Sequence, residues 1–167
     1  SLHDSFWRAK ISAVNLAKIK IGSEQELYFK KAVNLLESFR NGSLSVSEVF
    51  DTEQMAKLMA LRALFGSIDF DWRDMKFYYN PITSLLEPIG REVHSGRQTT
   101  HTWWIDDSIT SLAHSVDQES FLDLLYSDIE FYKKYLNELY RVSDPNYFNE
   151  LIKNNKKQFL KNKKILM

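Results

Sequence analysis

The chain has 167 residues, with a 44% hydrophobic and 26% charged composition, which sets an expectation of one domain able to bury about two thirds of its unfolded surface. Five Gly and three Pro are too few for disorder or an all-β fold, so helices are expected. Cysteine is absent, which excludes a disulfide scaffold, a thiolate zinc site and a Cys nucleophile; no run approaches the roughly 18 apolar residues of a membrane span. The N-terminus lacks both a signal-peptide shape and an initiator Met.

Net charge is zero but unevenly placed. Residues 151–167 hold six Lys (153, 156, 157, 161, 163 and 164) and no acid, whereas the rest holds 16 basic and 22 acidic side chains. Two readings are open for this end: attraction to nucleic acid or an anionic surface, or a solvated terminal helix.

In chain order, apolar positions recur at helical spacing over Asp4 to Ile21 and over Glu24 to Arg40. Ser23 and Glu26 form a capping-box signature, and Asn41-Gly42 supplies a left-handed stop. Gly42 to Phe50 reads as a short loop. Asp51 and Gln54 repeat the capping spacing ahead of a helix over Thr52 to Phe65, apolar round most of its circumference. It is expected to be the central buried helix, with Leu61 facing the core between Leu58 and Leu64.

After Gly66 the pattern changes. Met75 to Tyr79, the turn Asn80 to Ser84 and Leu85 to Ile89 read as a β-hairpin, with Pro88 confining its strand to an edge. Gly90 to Asp107 reads as a long polar loop. Helical spacing returns over Gln118 to Tyr126 and, after Asp128 as cap, over Ile129 to Arg141. Asp144-Pro145 opens a last helix toward Ile165. An aromatic stripe of Tyr132, Tyr135, Tyr140, Tyr147 and Phe148 is expected in the core. The fold expected is mainly α (α+β), a helical domain with one central hairpin.

Acids crowd the hairpin: Asp69, Asp71 and Asp74 before it, Glu92 and His94 after it, then His101, Asp106 and Asp107. A hairpin brings its two flanks together, so the carboxyls of Asp74 and Glu92 are expected within about 8 Å, a spacing one Mg²⁺ with water can span. The competing reading is that these acids are turn formers bonding their own backbone. Trp103 and Trp104 suit either ligand stacking or packing. No Gly-rich phosphate loop, nucleophile elbow or zinc motif is present.

The order of acid, hairpin, acid matches phosphotransferases in which a catalytic Asp precedes a metal ligand by five residues and a second ligand follows the hairpin. Phe50 to Leu61, Leu64-Phe65-Gly66, Trp72 to Pro81, Leu86-Glu87-Pro88-Ile89 and Asp128 to Leu136 resemble the C-terminal half of the spore-coat CotH family of kinase-like proteins, over about residues 45 to 140. The resemblance implies a kinase-like C-lobe using Mg²⁺ and ATP on a protein substrate, with Asp69 as base and Asp74 and Glu92 as metal ligands. The family usually carries Asn at the position of Asp74 and Asp at that of Glu92. Its strand-rich nucleotide-binding region has no counterpart in the first forty residues. The chain is therefore expected to be a fragment or a catalytically impaired relative. The alternative is a non-enzymatic helical interaction domain.

Overall fold

A computed structural model describes residues 10–65, 75–90, 121–158 and 160–161. Among the described residues the fold is mainly helical with a single two-stranded antiparallel hairpin, as the sequence predicts. In chain order it comprises α1 (Glu24–Arg40), α2 (Val46–Val49), α3 (Thr52–Phe65), β1 (Lys76–Asn80), β2 (Leu85–Ile89), α4 (Phe121–Ser127), α5 (Ile129–Ser143) and α6 (Pro145–Asn154).

Local chemistry explains most boundaries. The Ser23 hydroxyl accepts from the Glu26 N–H at 3.2 Å, capping α1, and the Glu26 carboxylate reaches back to the Gly22 N–H. Gly42 ends α1 at φ +73°, as expected of its left-handed stop. Asp51 accepts from the Gln54 N–H at 3.0 Å and from its side-chain amide at 2.9 Å. Asp128 accepts from Glu130 and Phe131 N–H groups, both at 3.0 Å, and so opens α5 where the sequence places it.

Five expectations are corrected. The described part of the first predicted helix, residues 10–21, contains only a 3₁₀ turn at Leu16–Lys18. Val14 and Leu16 are exposed there, and a short helix without a buried face lacks the packing that would hold it. The loop before α3 contains α2, since the Glu48 carboxylate accepts from both the N–H (2.8 Å) and the hydroxyl (2.7 Å) of Ser45. These bonds also hold the Glu48 carboxyl below the usual pKa. The last helix breaks at Asn155, whose side-chain amide donates to the Leu151 carbonyl oxygen at 2.9 Å; helical turns resume at Lys156.

The fourth correction concerns the aromatic stripe. Tyr135 is buried and Tyr132 and Tyr147 are half-buried, but Tyr140 is 84% and Phe148 59% exposed. Tyr140 lies five residues from Tyr135, about 140° round the helix, so both cannot face the core.

The central element is α3, which buries Met55, Ala56, Leu58, Met59 and Ala60 and packs along α5. The fifth correction is that Leu58, Leu61 and Leu64 do not share one core-facing side: Leu61 is half-buried and Leu64 exposed, because each three-residue step turns about 60° away from Leu58. Lys134 of α5 donates to Thr52 Oγ1 at 2.7 Å and pairs with Glu53 at 2.9 Å, pinning the start of α3. The hairpin pairs Lys76 with Ile89 at its open end and Asn80 with Leu85 at its tip. Asn80 Oδ1 accepts from the Ile82 N–H at 2.8 Å, and Ser84 takes a φ of +60° to close the turn. Pro88 stands opposite Phe77 near the open end of β2, beyond the bridge that Leu86 makes to Phe50 on the strand's other side.

Candidate functional site

A cleft of about 810 Å³ lies between residues 10–14, α1 and β1. Its wall on α1 carries Tyr28 and Phe29, and its wall on the hairpin carries Met75 to Tyr79. Phe39 and Leu86, both buried, close the floor. Lys10, Arg40 and Lys76 place positive charge along its lining. The volume falls within the range of small-molecule and cofactor sites, and the mix of aromatic walls with a few polar groups is their usual chemistry.

These walls are held by contacts between α1 and the hairpin. The rings of Tyr28 and Tyr79 stand 5.6 Å apart at 37°, and Lys31 Nζ lies 5.9 Å from the centre of the Tyr79 ring. The Tyr28 hydroxyl donates to Glu24, and that adjacent carboxylate raises the phenol above its ordinary pKa. Arg40 pairs with Glu37 at 3.3 Å, its side chain mostly covered. Tyr78 is exposed, with its ring available to the cleft. The cleft thus offers flat apolar surface for a ring and cations for an anionic group.

Asp69, Asp74 and Glu92 lie outside the described residues, as do Asp71, His94, His101, Trp103, Trp104, Asp106 and Asp107. The described hairpin fixes where the chain enters and leaves: Met75 and Lys76 line the cleft, and Lys76 pairs with Ile89. Among the described residues no group of three His, Asp or Glu side chains is placed to hold a metal ion. Carboxylates such as those of Asp69, Asp74 and Glu92 are hard oxygen donors, the class Mg²⁺ requires.

A second polar cluster sits under α3 and is not anticipated by the sequence reading. Arg62 is buried on this mostly apolar helix, near Tyr126 and Tyr135. The Tyr126 and Tyr135 hydroxyls share a hydrogen bond, and their rings lie 5.0 Å apart. Burial pushes both phenols above their ordinary pKa, and the Arg62 charge works against that rise. The cluster joins α3, α4 and α5. Its only sequence signal is an Arg at a position where the helix pattern demands burial.

Comparison with protein-family models, with curated proteins and with solved structures gave no match to this chain. Among the described residues, no helix is long and apolar enough to cross a membrane.

Proposed function

We propose that the chain is a CotH-type kinase-like domain, a fragment or a catalytically impaired form, that binds a nucleotide and a divalent cation beside the open end of the hairpin. The observation that supports this reading is the meeting of the cleft with that open end: Met75 and Lys76 line the cleft, Asp74 directly precedes them, and Glu92 follows three residues after Ile89. Tyr28 and Tyr78 offer faces for a base and Lys10 and Lys76 offer charge for phosphates. Asp74 and Glu92 are the metal ligands of the reading and Asp69 its base. Mg²⁺ would supply neutralisation of the phosphate charge.

The impairment follows from the same residues. Glu92 is one methylene longer than the Asp of the family, and a shift of about 1 Å in a phosphoryl-transfer site costs around 10²-fold in rate. Residues 10–40 hold no strand from which a phosphate-clamping Lys would project.

Thermal melts of the chain with Mg²⁺ alone, ATP alone and both together test the reading. MgATP is expected to raise the melting temperature, and Asp74→Ala or Glu92→Ala to abolish the rise. Radiolabel transfer from ATP is expected to stay at background; transfer lost in Asp74→Ala would refute the impairment. A MgATP effect unchanged in both variants, or none at all, refutes the nucleotide site. The second reading, a non-enzymatic helical interaction domain, is favoured by the aromatic walls of the cleft, which suit an apolar peptide side chain equally well, and a null result with MgATP selects it.

A further inference from the structure

Helix α6 is ten residues long and buries none of them. It is nevertheless strongly two-sided. Phe148, Leu151 and Ile152 recur at the three- and four-residue spacing that places them on one arc, and all three are exposed. The opposite arc of α6 carries Asn149, Glu150 and Lys153, and Lys156, Lys157 and Lys161 follow in the turns after Asn155, all of them exposed. Tyr147 packs toward α5, its ring 4.8 Å from the Arg141 guanidinium; Leu151, one turn on, flanks that contact, while Phe148 and Ile152 lie about 100° and 140° round the helix from it. Beyond Glu150 the sequence contains no acid to offset the Lys.

We propose that α6 and the turns after it form an interfacial helix that docks on an anionic lipid surface, with Phe148, Leu151 and Ile152 entering the headgroup boundary and the Lys side chains meeting lipid phosphates and carboxylates. An exposed apolar arc with no buried residue, continued by a Lys-rich segment without acids, has the composition of segments that lie in the plane of such a surface. Long Lys side chains extend their stems along apolar material while their ammonium groups reach the charged layer. An open convex arc fits a fluid, deformable layer better than a rigid acidic protein, which would need a groove to cover the Phe148 ring. The Lys side chains that follow the arc select anionic over neutral lipid. This surface is independent of the cleft, and the two proposals stand or fall separately.

Flotation of the full chain with vesicles tests it. Binding is expected with equal parts phosphatidylcholine and phosphatidylserine, absent with phosphatidylcholine alone, and weakened by high salt as the Debye length falls from about 10 Å at 0.1 M to about 3 Å at 1 M. Two variants separate the contributions: Phe148→Ser with Ile152→Ser, and Lys153→Glu with Lys157→Glu. Each is expected to lower binding at least tenfold, while Lys153→Arg with Lys157→Arg retains it. All the altered side chains are exposed, and circular dichroism of each variant checks that the fold survives.

Equal binding to both vesicle types, no binding to either, or binding unaffected by the Phe148→Ser, Ile152→Ser pair overturns the proposal. So does light scattering showing a dimer that this pair dissociates, since a second copy would then cover the arc. Retention by an acidic polypeptide such as polyglutamate without vesicle binding assigns the face to a protein partner and overturns it likewise.

Discussion

The ring of Phe50 meets that of Phe39 edge-on, with centroids 5.0 Å apart and planes at 86°. Phe50 also lies 5.2 Å from Phe77 of β1 and 6.0 Å from Phe121 of α4. It is fully buried, and its backbone forms a parallel bridge to Leu86 while the next N–H, that of Asp51, donates to the Leu86 carbonyl oxygen at 2.9 Å. One side chain at the entry to α3 therefore joins α1, the hairpin and α4.

Phe50→Ala is expected to destabilise the fold by about 3 to 5 kcal/mol, the usual cost of removing a buried aromatic ring. Ile82→Ala, at a position 92% exposed on the hairpin tip, is expected to change stability by less than about 0.5 kcal/mol. Urea melts of the two variants check the contrast, and similar midpoints would mean that Phe50 is not the junction.

Along α3 the cost of truncation should follow burial, not hydrophobicity. Met59→Ala is expected to cost about 2 to 5 kcal/mol, since Met59 is fully buried. Leu61 is half-buried, so Leu61→Ala should cost less than Met59→Ala, and Lys161→Ala less than about 0.5 kcal/mol. Chemical denaturation of the three in parallel gives the ranking; Leu61→Ala as the worst would place the core on the wrong face.

Alkaline pH is expected to weaken the fold through Tyr126 and Tyr135. Both phenols have folded-state pKa values raised above the ordinary value of about 10, chiefly by burial. Their contribution is complete below pH ~10, where both states are protonated, and is lost as pH rises above it, because the unfolded chain releases its protons first. Ultraviolet titration of tyrosinate should therefore show late-titrating groups that appear only with unfolding. Tyr126→Phe should flatten the alkaline decline, at a cost of about 1 kcal/mol at neutral pH for the lost hydrogen bond to Tyr135. An unchanged alkaline profile would exclude Tyr126 from the effect.

Removing the cap of α5 tests how much that helix depends on its first turn. Asp128→Ala leaves the N–H groups of Glu130 and Phe131 without their acceptor and is expected to cost about 1 kcal/mol. Asp128→Asn, which keeps an oxygen acceptor, should recover most of it, as thermal melts of the pair will show.

The sequence by itself determined the features written in local chemistry. The caps at Ser23, Asp51 and Asp128, the left-handed Gly42, the turn from Asn80 and the Pro145 start each depend on residues a few positions apart, so their boundaries were legible. The mainly helical fold with one hairpin follows from them. Legible too was the burial of Met55 to Ala60 at the middle of α3, because a helix apolar round most of its circumference must bury most of it.

Tertiary structure alone decided which apolar residues found partners. Periodicity equally favoured helices over residues 10–21 and 24–40, but only the second has a face packed against the hairpin, and the first keeps just a 3₁₀ turn. Tyr135 and Tyr140 read alike in the sequence; the position of α3 buries one and leaves the other in solvent. The role of Phe50, the burial of Arg62 and the cleft beside Tyr78 all arise between segments far apart in the chain. Burial free energy depends on what lies opposite a side chain, and one strand of sequence does not contain that information.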